Sequence, residues 1–420
     1  MIKLNLPKVF LLIQLVTILF LGTLIKNSTQ IQVFILGIDL ISVLLIFLKN
    51  KNKVQSRPIF LLVYFIVLFF LTSIANTSSS FYYLILILTI FSKYIIFQYC
   101  VNNLKVETLI KLILVFSGII IGLCFLEVVS NGSLNIFESF YTSTVKLDNS
   151  FKVGTGNYVL RSSFEHPLVT SIILVILLPF SLLIKNRLIK FTFLLCDLFL
   201  IIIIQKRTAY ILLFVLVLIF SVLFNKYILK KKMKRRSIIF GLVGLFLFFF
   251  ISQMIKIQEM TVFQLILSKF SALETTDTFS LYNRTNSIFI GLSTIFNRNL
   301  FNILFGNGLN FLPTYLNANG ITIARTGFYV IDNSYVSILA DFGIVNLLLF
   351  IGYSILIIIV GINNLKKLEV TREKILNIIA ICGIVNILIS IFFFDFYVWY
   401  SIFVLFILLQ AIILRKRVFL

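Results

Sequence analysis

Apolar runs near 20 residues long recur along almost the whole chain, and no other feature restricts the fold as much. A helix of that length crosses about 30 Å of hydrocarbon. About twelve such spans can be read, near residues 9–25, 31–48, 59–75, 81–101, 109–129, 168–184, 189–204, 208–225, 237–253, 335–361, 375–393 and 397–414. Of the 420 residues 60% are hydrophobic and 12% charged, with a mean hydropathy of +1.09, more apolar surface than a soluble domain can hide. The expected fold class is an all-α polytopic membrane protein, a single transmembrane domain over residues 1–420 with the lipid bilayer as its solvent.

A net charge of +22 suggests nucleic acid until it is mapped. The basic residues gather in alternate connections: Lys49, Lys51, Lys53 and Arg57; Lys185, Arg187 and Lys190; Lys226 and Lys230 to Arg236; Lys366, Lys367, Arg372 and Lys374; and Arg415 to Arg417. The connections between them are nearly free of such clusters. That alternation follows the positive-inside rule and puts both termini in the cytoplasm. The basic runs thus report topology and anionic lipid contact, not nucleic acid. Two large extracytoplasmic loops remain, 130–167 and 254–333. The cysteines Cys100, Cys124, Cys196 and Cys382 fall in or at the ends of spans and lack metal-ligand spacing. Lys3 and Lys8 precede an apolar run without a small-residue cleavage site, which reads as a signal-anchor helix. No internal repeat is visible, which counts against an inverted-repeat transporter.

Asp39, Lys93 and Glu127 interrupt the early spans. Intramembrane ionisable residues are functional candidates by default, although pairing within the bundle is an equal reading here. The first loop ends in LRSSFEHPL. Pro167 suits the first turn of a helix, so His166 sits at or beside the N-cap, with Arg161 and Glu165 at the same mouth. Gln205, Lys206 and Arg207 separate two spans on the outer side. Thr208 can cap the second of these, leaving Arg207 at a helix N-terminus suited to phosphate. In the second loop, Val262, Phe263, Ile266, Leu267, Phe270 and Leu273 have helical spacing and fit a helix lying flat on the membrane. A further helix follows, capped by Ser280. Leu281, Ile288, Leu292 and Ile295 form its apolar stripe, widened by Phe289 and Phe296, with Arg284 on the edge of that face. Arg298, a glycine turn at Gly306 and Gly308, and Arg325 come next. Asp332-Asn333-Ser334 then caps a membrane helix in which Ser334, Ser337 and Asp341 share one face, expected to line a cavity.

Arginines at several outer helix ends, with few carboxylates and no metal-ligand cluster, suit a pyrophosphate, whose oxygens a guanidinium binds in pairs. Membrane-embedded walls suit a lipid tail, and a flat amphipathic helix suits a lid. A glycosyl lipid pyrophosphate carries its own activation, so only a base for the acceptor hydroxyl is needed. Asp332, His166, Glu165 and Asp341 are the candidates.

Four segments resemble the O-antigen polymerase and O-antigen ligase superfamily of multi-pass bacterial glycosyltransferases. They are RSSFEHPL, QKRTAY, NRTNSIF…NLFNILFGNG and DNSYVSILADFGIVNLLLF, in order over roughly residues 155–360. The resemblance implies a fold related to the C-type membrane glycosyltransferases, with no metal or other cofactor. It implies transfer of a glycan from undecaprenyl pyrophosphate at the outer face of the plasma (inner) membrane, with a flippase and a chain-length regulator as partners. Arg207 and Arg284 match the arginines expected on the pyrophosphate; Arg161, Arg325 and Asp341 complete the expected substrate-binding set, and Asp332 and His166 the catalytic one. Ligases of the superfamily typically carry His-Asn where this chain has Asp332-Asn333, a departure that leans toward a polymerase of capsule, exopolysaccharide or O-antigen. A ligase and a lipid-linked oligosaccharide flippase are the alternatives.

Overall fold

Where the structure describes them, the long apolar runs are helical. It is a computed structural model that describes residues 5–20, 29–49, 80–130, 132, 134, 137, 160–164, 166–204, 206–229, 256–257, 260–261, 278–321, 331, 333–394 and 399–415. The helices are α1 (Leu6–Phe20), α2 (Thr29–Lys49), α3 (Ser80–Asn103), α4 (Val106–Val129), α5 (Pro167–Leu177), α6 (Arg187–Ile204), α7 (Arg207–Tyr227), α8 (Thr278–Phe296), α9 (Leu300–Phe305), α10 (Phe311–Ala318), α11 (Ser334–Lys367), α12 (Thr371–Ser390) and α13 (Tyr400–Ile413). A short antiparallel pairing, β1 (Lys256–Ile257) with β2 (Met260–Thr261), lies in the second long connection. The expected spans at 59–75 and 237–253 and the flat helix at 262–273 lie outside the described residues. By length and composition, five described helices can cross a membrane: Gln30–Lys49, Val106–Val129, Arg207–Tyr227, Ser334–Lys367 and Thr371–Ser390.

The main core runs through α1 to α7 and α11 to α13. At its centre α5 is buried on every face, as a helix that is apolar all round must be. It stops at Leu177 because Pro179 removes an N–H and crowds the carbonyl four residues back. The chain then tightens into a 3₁₀ turn over Leu178–Leu183. A second, smaller core lies between α8, α10 and the first half of α11, around Ile295, Leu312, Leu316, Val336 and Leu339.

The polar groups of the early spans are bundle contacts. Lys93 Nζ on α3 donates to Asp39 Oδ2 on α2 at 2.7 Å and to Gln14 Oε1 on α1 at 2.6 Å. Gln14 Nε2 donates to Asp39 Oδ1 at 2.7 Å, which closes the ring. Lys93 and Asp39 are both 0% exposed. Opposite charge and full hydrogen bonding are what make such a pair tolerable away from water.

Side-chain ties sort the helix ends into two groups. At one end Arg372 pairs with Glu107 and donates to Leu183 O at 3.1 Å. There too Arg415 donates to Leu104 O at 2.8 Å and lies 3.8 Å from Glu373, and Asn364 donates to Ile413 O. Burial lowers the Arg415 pKa, against the pull of Glu373. The basic connections around Lys185, Lys366 and Arg372 thus share this basic end. At the other end Ser334 N donates to Ile391 O at 2.9 Å, and Ser401 Oγ donates to Ile18 O at 3.1 Å. The His166 ring there lies 5.3 Å from that of Trp399.

Candidate functional site

The end opposite the basic connections carries most of the described candidates. Glu127, at the last turn of α4, accepts the N–H groups of Arg161 at 3.0 Å and Ser162 at 2.7 Å. It fixes the turn that leads into α5, so its buried charge has a structural task. Thr170 Oγ1 donates to Arg161 O at 2.7 Å and ties this turn to the first part of α5. His166 is the N-cap of α5, with Pro167 in the first turn as the sequence implies. Its Nδ1 accepts the Leu168 N–H at 3.2 Å, which puts the ring proton on Nε2. Glu165 lies outside the described residues.

The N-cap of α7 is Lys206, not Thr208, and Arg207 is the first helical residue. Thr208 is buried one position further in. Arg207 therefore stands at a helix N-terminus, as the sequence implies, but without a side-chain cap. Tyr210 Oη donates to Ile202 O at 3.1 Å and fastens the start of α7 to the end of α6.

The α8–α11 region is built around a break. At Gly343 the backbone of α11 takes φ 81°, ψ 171°, and the helical ladder is interrupted. The glycine turn after α9 fills the gap. Asn307 N donates to Ala340 O and Gly308 N to Asp341 O, both at 3.0 Å. The two backbones cross so closely that a Cβ on Gly306 would lie 2.2 Å from Asp341 O, and one on Gly343 would lie 2.3 Å from Leu304 O. Asp341 then closes the assembly: its carboxylate accepts the N–H groups of Asn310 and Phe311, both at 3.0 Å, at the start of α10. The stripe of Ser334, Ser337 and Asp341 is buried. Ser334 Oγ donates to Phe394 O, and Asn333, not Asp332, caps α11 by accepting from Tyr335 N and Val336 N.

Helix α8 begins at Thr278, so Ser280 lies inside its first turn and is not the cap. Among the positions whose burial is described, Ser287, Gly291 and Ile295 are buried. The stripe of Ile288, Gly291 and Ile295 packs toward α10 and α11, and the side chain of Arg284 lies outside the described residues. Phe289 and Phe296 face outward instead, 72% and 56% exposed. Arg325 and Asp332 lie outside the described residues.

No protein-family model matches the chain, and no curated protein matches it. Two residues that the sequence left without a task stand out. Asp197 on α6 is buried, and neither of its carboxyl oxygens has a hydrogen-bond partner. A carboxylate in an apolar span was the signal available for it. Arg298 is the other: its guanidinium lies over the rings of Phe311 and Tyr315, at 4.9 and 4.5 Å from their centres. Among the described residues no group of three His, Cys, Asp or Glu side chains is arranged to hold a metal ion.

Proposed function

We propose that the protein is a membrane glycosyltransferase, a polysaccharide polymerase. It joins undecaprenyl-pyrophosphate-linked oligosaccharide repeat units at the outer face of the plasma membrane. The observation that carries this reading is the polarity of the bundle. Arg161, His166 and Arg207 belong to the end opposite the basic connections, which the positive-inside rule assigns to the outside.

In this reading Arg207 and Arg284 hold the diphosphate by paired hydrogen bonds and offset the charge that grows on it as it departs. The acceptor hydroxyl oxygen attacks the anomeric carbon of the donor sugar. The bond from that carbon to the diphosphate oxygen breaks, and undecaprenyl pyrophosphate leaves with the electron pair. The hydroxyl proton passes to Asp332. His166 is the weaker base candidate, because its Nδ1 lone pair already accepts the Leu168 N–H.

The test is to give purified protein an undecaprenyl-pyrophosphate repeat unit. A ladder of longer glycans, lost in Arg284→Ala and poorly restored in Arg284→Lys, is expected. A single transfer product, or unchanged polymer from Arg284→Ala, contradicts the assignment.

A further inference from the structure

Asp197 lies far from either end of α6, roughly 15 Å along the axis from Arg187 and roughly 10 Å from Ile204 at the helical rise. It shares the buried side of that helix with Leu200, Ile201 and Ile204, while Leu188, Phe191 and Leu195 on the other side are exposed. Helix α6 packs against α4, α5 and the 3₁₀ turn that follows α5. Phe193, one turn before Asp197 on the same side, reaches α4, where a Cβ added to Gly118 would lie 3.4 Å from its ring. Further along α4 the Cys124 thiol is within electrostatic reach of both Asp197 and Glu127. The Asp197 side chain therefore points into the bundle toward α4.

It is 1% exposed, and neither of its carboxyl oxygens has a hydrogen-bond partner among the described residues. The described ion pairs do not include it. Of the elements packed against α6, α4 brings the ionisable Cys124 and Glu127 to this region and carries Glu107 and Lys111 nearer its basic end; α5 and the 3₁₀ turn carry no ionisable side chain. Glu127 makes the contrast, because the N–H groups of Arg161 and Ser162 occupy both of its oxygens. Two such donors suit a carboxylate. A carboxylate at Asp197 would have neither donor nor countercharge, and an ion buried in that way costs so much that the group takes up a proton instead. Nor is there a ligand set for a metal cation around it among the described residues.

We propose that Asp197 is a proton-binding site inside the bundle, a neutral carboxylic acid held between α4 and α6. The ligand is a proton, and the acid is also a site for a carboxyl reagent that arrives through lipid. The inference does not rest on the polymerase reading.

The experiment takes infrared spectra of the purified full-length protein in nanodiscs at neutral pH, with and without ¹³C-labelled aspartate. A carbonyl band of a neutral carboxylic acid, shifted by the label and lost in Asp197→Asn, is expected. Absence of the band, or its persistence in Asp197→Asn, overturns the proposal. So does its disappearance on adding sodium at constant pH, which would make the ligand a metal cation. Should Asp197→Asn fail to fold, the wild-type protein decides by reaction with dicyclohexylcarbodiimide, which adds to the protonated acid. The acid proton passes to a carbodiimide nitrogen, the carboxyl oxygen bonds the central carbon, and the acyl group then shifts from oxygen to nitrogen, so nothing leaves. Mass spectrometry should find the adduct on Asp197 and none on Glu127; no adduct on Asp197 overturns the proposal. Neither readout involves glycan transfer, so failure of the polymerase reading remains distinguishable.

Discussion

Lys93 and Arg298 are both cations held firmly by the fold, and they are held in opposite ways. Lys93 is enclosed by three helices, with a carboxylate and an amide oxygen on its ammonium. Arg298 rests on two aromatic faces and makes no ion pair among the described residues. The first arrangement uses up the charge inside the bundle; the second holds it, half-buried, on ring faces. The contrast separates a charge satisfied by a buried countercharge from one held on ring faces. Asp341 belongs with Lys93 in this respect, because both of its oxygens accept backbone N–H groups.

The comparison can be broken most forcefully at the triad. Lys93→Ala leaves the Asp39 carboxylate buried without its countercharge, an expected loss on the order of 3–5 kcal/mol in a denaturant titration of the solubilised protein. Replacing Lys93 and Asp39 together by Met and Leu should recover most of that loss. Wild-type stability in Lys93→Ala would remove the triad from the class of structural charges.

Gly343→Ala should act locally. Its Cβ would meet Leu304 O, and a backbone at φ 81° adds strain of about 1–3 kcal/mol. Amide exchange at Asn307 and Gly308 should accelerate while that of α1 to α3 stays slow. Uniform acceleration across the chain would mean that the crossing is not a separate unit. Asp341→Ala should cost less, about 0.5–2 kcal/mol as for loss of a helix cap, seen as faster exchange at Asn310 and Phe311. If those two amides keep their protection, the carboxylate is not what closes the turn.

Asp332→Asn should change stability least, because Asn333 already caps α11. Polymer formation should nevertheless fall on the order of 10²-fold, as expected for loss of a positioned base. Normal polymer from Asp332→Asn, with a dead His166→Ala, would move the base to the histidine.

Much of the fold was legible in the sequence, for reasons that particular residues make plain. Run length alone announces α2, α4, α7, α11 and α12, because in a bilayer the apolar thickness sets the helix length. Pro167 announces His166 as a cap, and Gly306 and Gly308 announce their turn. The exposed and buried sides of α8 could not be told apart, because Phe289 and Ile295 are equally apolar. The stripe of Ser334, Ser337 and Asp341 was visible, but a sequence does not say what covers a face. The covering is a turn more than 30 residues away, as the Asp341 to Asn310 bond shows. Likewise Gln14 and Lys93 are 79 residues apart, and only packing brings them together.

The central claim is that glycan chains grow at the end of the bundle away from the basic connections. The most direct measurement uses sealed proteoliposomes in which the orientation of Lys367 is known from its accessibility to an amine label. Lipid-linked repeat units are then supplied to one leaflet at a time. A ladder of polymer should form only when the substrate faces away from Lys367. A ladder formed on the Lys367 side, or equally on both, would contradict the account.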